Sequence, residues 1–243
     1  MLADYGEIAG ASHAHYVRAS NGSEYIAKGP IFAPDQPTVA ANEFVAAHLA
    51  EAVGLPLLDY RVLDMNGDLL FASAWMDKGS FATGIEKYLL ERCVNQDIVY
   101  ELVVFDAWLC NTDRHNGNLI VRLPKKPGEA HVVILNDHSH LLVSQHEPTP
   151  EGLLRQLDTS PRPYVSLPFV REAIVSKKRL GQAVIRAEAV PEAVVRTAVQ
   201  ATPEALLPGP FREVYERFLI ERQARLRKVF KENLDVFPNL EAA

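Results

Sequence analysis

The chain has 243 residues, of which 48% are hydrophobic and 23% are charged, a composition that excludes disordered and collagen-like proteins. Its net charge of −6 divides into −9 over residues 1–150 and +3 over residues 151–243, and the acidic first half would repel the phosphates of a nucleic acid. Because it has no apolar run that could cross a bilayer, no secretion signal and only two cysteines, we expect a cytoplasmic protein with no membrane partner, and a nucleic-acid partner is disfavoured.

Two hairpins and one helix are predicted in the first 75 residues. Short apolar runs flank Asn21-Gly22 and Asn66-Gly67, which are dipeptides typical of tight turns between strands. Apolar residues at helical spacing over residues 38–53, followed by Gly54 and Pro56, predict one amphipathic helix between the hairpins. The predicted strands are Tyr16 to Arg18, Tyr25 to Ala27, Leu57 to Leu63 and Leu69 to Ala74.

The pattern changes after Met76. A buried helix is predicted from Asn95 to Leu109, and two short strands follow at Leu119 to Leu123 and His131 to Leu135. Repeated prolines predict an irregular connection over residues 147–168. Further helices are predicted over residues 170–175, 191–199 and 211–230.

These elements predict an α+β fold with two lobes. Residues 1–78 would form a small mixed lobe with antiparallel strands, and residues 79–243 a larger, mainly helical lobe. This outline is typical of protein-kinase-like folds.

The most informative motif is a loop between the buried helix and the first strand of the second lobe. Asp113 and Asn118 lie five positions apart there, and Asp137 follows the next strand. Phosphoryl transfer from a magnesium nucleotide requires a carboxylate beside the acceptor hydroxyl, and an amide and another carboxylate on the metal. The spacing therefore predicts Asp113 as the catalytic base and Asn118 and Asp137 as ligands of Mg²⁺. His115 either fills a structural role or helps to position the transferred phosphate. Taken singly, the two aspartates could also be ordinary turn residues.

Residues of the first lobe complete the predicted site. Lys28 ends a strand and is a candidate ligand of the ATP phosphates, and Glu43 on the following helix could pair with it. The turn around Ser12 could cover the phosphates with its backbone amides. Trp75, Met76 and Asp77 would form the connection between lobes, against which an adenine could stack and hydrogen-bond.

These motifs resemble the HipA-like kinase domain family of bacteria, which is more distantly similar to phosphoinositide-kinase-like folds. The resemblance rests on Tyr25-Ile26-Ala27-Lys28, Asn42-Glu43, the segment from Phe105 to Asn118, and Leu135-Asn136-Asp137-His138. It implies an ATP- and Mg²⁺-dependent kinase that phosphorylates a hydroxyl group, with a Ser or Thr of a protein as the expected acceptor and a small molecule as the other possibility. One departure is that His138-Ser139 replaces the Phe-Gly that follows the metal-binding aspartate in ordinary protein kinases.

Two other functions remain open at the level of sequence. A non-catalytic nucleotide-binding module would keep the fold without the chemistry. A metal-dependent hydrolase would need a two-metal cluster drawn from Asp113, His115, Asp137, His138 and His140.

Overall fold

A computed structural model describes residues 2–8, 13–36, 38–76, 79–111, 113–126, 129–141, 151–152, 155 and 167–241. The first lobe contains one five-stranded sheet in the order β1-β2-β3-β5-β4, in which all neighbouring strands are antiparallel. Its strands are β1 (Leu2–Glu7), β2 (His15–Ala19), β3 (Glu24–Lys28), β4 (Tyr60–Met65) and β5 (Asp68–Ala74).

Both predicted hairpins are present. Asn66 and Gly67 have φ angles of +59° and +97°, so the turn between β4 and β5 uses two left-handed residues. This is the geometry that makes an Asn-Gly pair a strong hairpin signal, because it matches the twist of the flanking strands. Strand β1, which pairs with β2, was not predicted from the sequence.

Helix α1 (Val39–Ala52) lies where a helix was predicted, but it is not amphipathic. Almost every side chain along it is buried, including the polar Asn42 and Glu43. It packs against β5 on one side and against a helix of the second lobe on the other. A helix enclosed in this way has no solvent stripe, and its polar residues must find partners inside the protein.

The second lobe combines a small sheet with a set of helices. The sheet has the order β6-β7-β8, with β6 (Phe81–Thr83), β7 (Leu119–Arg122) and β8 (Val132–Leu135) all antiparallel. The described helices are α2 (Lys87–Leu90), α3 (Val99–Leu109), α4 (Pro168–Ala173), α5 (Lys177–Glu188), α6 (Glu192–Ala201), α7 (Gly209–Gln223) and α8 (Leu226–Glu232).

The main hydrophobic core lies around α3 and extends to α1 and the C-terminal helices. Trp108 on α3 is fully buried, and its indole nitrogen donates to the carbonyl of Leu219 on α7 at 2.8 Å. This contact links the helix that precedes the Asp113 loop to the C-terminal helices. None of the helices in the described ranges is long and apolar enough to span a bilayer.

In the second lobe one predicted helix differs from the structure, and some elements of the structure were not predicted. The single helix expected over residues 211–230 is two helices, α7 and α8, separated at Ala224 and Arg225. Helix α5 and strand β6 were not predicted. The irregular connection expected over residues 147–168 lies mainly outside the described residues.

Candidate active site

The loop after α3 is anchored by a buried arginine. Arg114 is 2% exposed, and it donates from Nε to Asp106 Oδ2 and from Nη2 to Asp106 Oδ1, each at 3.0 Å. Its Nη1 donates to the carbonyls of Asn118 and Asn136, each at 2.9 Å. Asn118 precedes β7 and Asn136 follows β8, so one guanidinium fixes α3 to both strands of the β7–β8 hairpin.

A sharp turn brings Asp113 out of the core. Cys110 ends α3 in the left-handed conformation with φ +52°. Asn111 then donates from Nδ2 to Asp106 Oδ1 at 2.8 Å, and its Oδ1 accepts a hydrogen bond from the Asp113 backbone N–H at 3.0 Å. The backbone of Asp113 is therefore positioned by polar groups that are themselves buried.

The carboxylate of Asp113 is accessible and lies beside two imidazoles. Its side chain is 42% exposed, and Oδ2 lies 3.8 Å from His115 Nε2 and 3.6 Å from His140 Nε2. His115 is held in turn by the Gly117 backbone, which donates to His115 Nδ1 at 3.0 Å. A Cβ atom at Gly117 would lie only 2.9 Å from His115 Cε1, so any larger residue here would push the His115 ring aside.

Pairing of β7 with β8 brings the other two motif residues to the same place. Leu119 is opposite Leu135, and the backbone N–H of Asn136 donates to the Asn118 carbonyl at 3.2 Å. Asn118 donates from Nδ2 to the Asp113 carbonyl at 2.8 Å, which leaves its amide oxygen as the atom that a cation would use. The next residue along the chain is Asp137.

Lys28 connects the two lobes at this point. Its ammonium is 2.5 Å from Glu43 Oε1 on α1 and 2.8 Å from Asp137 Oδ1, and the residue is 5% exposed. The other oxygen of Glu43 accepts a hydrogen bond from the His138 backbone N–H at 2.9 Å. The strand-end lysine, the helix carboxylate and the segment after β8 therefore form one buried network.

The charges in this network stabilise one another. Burial alone would lower the pKa of Lys28, but the carboxylates of Asp137 and Glu43 outweigh it and raise the pKa above its usual range. Burial alone would raise the pKa of Asp137, but the Lys28 ammonium and two hydrogen bonds from Ser139 hold it well below its usual range. Lys28 and Asp137 therefore both remain charged at neutral pH.

A cleft lies between the lobes, and residues of both lobes line it. Trp75 and Met76 line it at the lobe connection, and Lys28 and Asp137 line it at the polar end. The Trp75 backbone N–H donates to the Glu24 carbonyl at 2.9 Å, so this group is already engaged within the protein. Ser12 and Asp77, which the sequence also placed in this site, lie outside the described residues.

Sequence reasoning missed the scaffold beneath the site. Asp106, Asn111 and Asn42 were not predicted to support it, although a carboxylate on a helix as apolar as α3 was a usable signal, since a buried charge requires a partner. Of the five residues considered for a two-metal hydrolase, Asp113 lies within 4 Å of His115 and His140. Within the described part of the chain, however, no group of three or more His, Cys, Asp or Glu side chains could hold a metal ion.

Comparisons with known proteins address the family and the fold of the chain. A sequence model described as HipA-like kinase matches residues 7–140, which is more than half of the chain. No curated protein matches the chain by sequence.

Solved structures show the fold. The kinase CtkA of Helicobacter pylori, described as proinflammatory, superposes with a TM-score of 0.64 and 14% identity, over 95% of this chain and 94% of CtkA. HipA of Shewanella oneidensis MR-1, solved with HipB and operator DNA, gives a TM-score of 0.53 and 12% identity, over 93% of this chain and 68% of HipA. The Golgi casein kinase with Mn and ADP bound gives 0.51 and 12%, over 94% of this chain and 73% of that enzyme. The predicted two-lobed α+β fold of the kinase type is confirmed.

Proposed function

Because the chain belongs to the HipA-like kinase family, we propose that it uses ATP and Mg²⁺ to phosphorylate a hydroxyl group, with a Ser or Thr of a protein as the acceptor. The observation that carries this proposal is the contact of the buried Lys28 with both Glu43 and Asp137. It joins a phosphate-binding cation of the first lobe to a metal-binding carboxylate of the second, and phosphoryl transfer depends on positioning these groups together.

The nucleotide would occupy the cleft between the lobes. We assign residues 1–78 to the lobe that covers the phosphates and residues 79–243 to the lobe that carries the Asp113 loop and the metal site. In this arrangement Lys28 contacts the phosphates, Ser12 lies over them, and the adenine lies against the connection formed by Trp75, Met76 and Asp77. This placement of the nucleotide is supported by the cleft, which is lined continuously by Trp75, Met76 and Lys28.

The donor atoms in the site fit a magnesium ion. Magnesium prefers oxygen ligands and retains several waters, so one amide oxygen and one carboxylate oxygen are sufficient protein ligands when phosphates supply the rest. Asn118 retains its amide oxygen, since Nδ2 is engaged with the Asp113 carbonyl. The contacts of Asp137 within the described residues converge on Oδ1, which leaves Oδ2 for the ion. When bound, the ion would neutralise charge on the β- and γ-phosphates.

Asp113 is the proposed base. Its exposed carboxylate would accept the proton of the acceptor hydroxyl while a bond forms between that oxygen and the γ-phosphorus and the bond to the β–γ bridging oxygen breaks. ADP is the leaving group. His115, which lies beside Asp113, would orient the transferred phosphate. The net charge of −9 over residues 1–150 favours an acceptor protein that is basic around its Ser or Thr.

The matched variants Asp113→Asn and Glu91→Gln test this proposal. Asp113→Asn should lose at least about 100-fold in ATP turnover, the smaller end of the contribution of a general base, while Mg-ATP still raises its melting temperature. Glu91 is an exposed carboxylate outside the cleft, and its variant should match the wild type. If Mg-ATP binds but wild type and Asp113→Asn are equally inactive, the chain is a non-catalytic nucleotide-binding module. If no Mg-nucleotide changes the melting temperature, the proposal is wrong.

A further inference from the structure

A buried polar path leads from the C-terminal helices to the proposed metal site. It begins at Tyr215 on α7, passes through Asn42 on α1, and reaches the segment that follows Asp137. Tyr215 is fully buried, and Asn42 and Ser139 are nearly so. The path starts outside the residues that the family model matches.

Every step of this path is a hydrogen bond of ordinary length. The Tyr215 hydroxyl donates to Asn42 Oδ1 at 2.7 Å. Asn42 Nδ2 donates to the carbonyls of Ser139 and Leu141, at 2.8 Å and 2.9 Å. Ser139 then donates to Asp137 Oδ1 from its backbone nitrogen at 3.2 Å and from its hydroxyl at 2.6 Å. Both functional atoms of the Asn42 amide are therefore used within the path.

We propose that Asn42 and Tyr215 are positioning residues that hold the carboxylate of Asp137 in the orientation required to bind the metal ion. The inference rests on the proposed function, because it assigns a role in the same metal site. Tyr215 and Asn42 do not contact the cleft groups themselves. They act through the backbone of Ser139 and Leu141.

The backbone at Asp137 explains why such support is needed. Asp137 has a φ of +56°, in the left-handed region that residues other than glycine rarely adopt. A residue remains in that region only where surrounding contacts over-determine its conformation. Asn42 fixes the segment on the C-terminal side of Asp137, and Arg114 fixes the carbonyl of Asn136 on the other side. Together they hold both ends of the strained residue.

Tyr215 is protonated at neutral pH, and burial raises its pKa further, so its hydroxyl is a hydrogen-bond donor. With its oxygen held by Tyr215, the Asn42 amide has one orientation, and its NH₂ group faces the two carbonyls. Loss of the Tyr215 hydroxyl would remove this constraint without changing any group that contacts nucleotide or metal.

The test compares two tyrosines that differ in where their hydroxyl groups bond. Tyr100 on α3 is also buried, and its hydroxyl accepts hydrogen bonds from the backbone of Val175 and Ser176 at 3.2 Å and 3.1 Å. Tyr100 lies ten residues before Cys110, where α3 ends and the loop that carries Asp113 begins. At 1.5 Å per residue it is therefore roughly 15 Å from that loop along the helix axis. Tyr215→Phe and Tyr100→Phe each remove one buried hydroxyl, and only the first lies on the path.

The quantity to measure is the ratio of the ATP dissociation constant in EDTA to that in saturating Mg²⁺, by calorimetry on the full chain. This ratio reports the coupling between metal and nucleotide. Changing a group that orients a metal ligand typically costs about 10–100-fold in metal affinity, and for the more remote Tyr215 we expect the ratio to fall about three- to tenfold. The dissociation constant in EDTA should not change, and Tyr100→Phe should leave both values as in the wild type.

Equal ratios in Tyr215→Phe and Tyr100→Phe would overturn the inference and leave the proposed function intact. Failure of the wild type to bind ATP in Mg²⁺ would instead refute the proposed function. Asn42→Ala removes the other proposed positioning residue, with its bonds to Tyr215, Ser139 and Leu141, and should lower the ratio at least as much. An unchanged ratio in that variant overturns the inference even if Tyr215→Phe does not fold.

Discussion

Replacing Arg114 with methionine should destabilise the protein strongly, because the buried Asp106 would lose its cation. Asp106 is 1% exposed, and it accepts from Arg114 through both oxygens. Removing one partner of a buried ion pair costs about 3–5 kcal/mol. Each kcal/mol corresponds to about 2–4 °C in a protein of this size, so the melting temperature should fall by roughly 6–20 °C.

A surface arginine provides the control. Arg217 on α7 is 61% exposed, and its Nε lies 2.7 Å from Glu221 Oε1 one helical turn away. Pairs of this kind contribute about 0.3–0.5 kcal/mol, so Arg217→Met should lower the melting temperature by no more than about 2 °C. Both variants replace an arginine by methionine, and they differ mainly in the burial of the partner.

Calorimetry or urea unfolding of the two variants measures how much stability each one loses. A double variant then tests whether the loss in Arg114→Met comes from the unpaired charge of Asp106. If the cost arises from an uncompensated charge, Arg114→Met combined with Asp106→Asn should be more stable than Arg114→Met alone. An Arg114→Met protein as stable as Arg217→Met would show that the guanidinium does not anchor the loop, and the account of how Asp113 and Asn118 are positioned would be wrong.

Three further outcomes follow from the site. The pKa of Asp137 is depressed in the folded state by its pair with Lys28, so this pair stabilises the protein above the unfolded pKa of about 3.9. That stabilisation is lost progressively as the pH falls below the unfolded pKa toward the folded one. Asp137→Asn should therefore lose less stability than the wild type between pH 5 and pH 3 in urea titrations. Gly117→Ala should displace the His115 ring and reduce turnover while the melting temperature changes little, because the His115 side chain is exposed and can move aside. The two cysteines are buried, so a thiol reagent should modify them only at the rate at which the protein unfolds, and rapid modification in native buffer would contradict the packing.

Turns and strand ends in this chain could be predicted from local sequence. The Asn66-Gly67 turn has one favourable solution, because both residues accept a positive φ. The approach of Asn118 to Asp137 followed from a short hairpin, since the beginning of β7 and the end of β8 must meet. In both cases neighbours in sequence determine the geometry.

Features that depend on distant packing could not be predicted in this way. The break between α7 and α8 falls at Ala224 and Arg225, where neither glycine nor proline signals an end to the helix. The all-round burial of α1 is likewise a property of the two lobes that enclose it. A periodic pattern predicts a helix, but the number of its faces that are buried is decided by tertiary structure.

The contacts of Asp137 show what the structure adds to the sequence prediction at this residue. The sequence predicted Asp137 as a ligand of Mg²⁺ and paired Lys28 with Glu43, but it did not predict that Lys28 and Ser139 both donate to Asp137 Oδ1. Because those contacts use one oxygen, a metal ion can bind Oδ2 while the ion pair with Lys28 persists. In the proposed function, Lys28 would then hydrogen-bond the phosphates while it keeps its ion pair with Asp137, so that no buried charge is left unpaired.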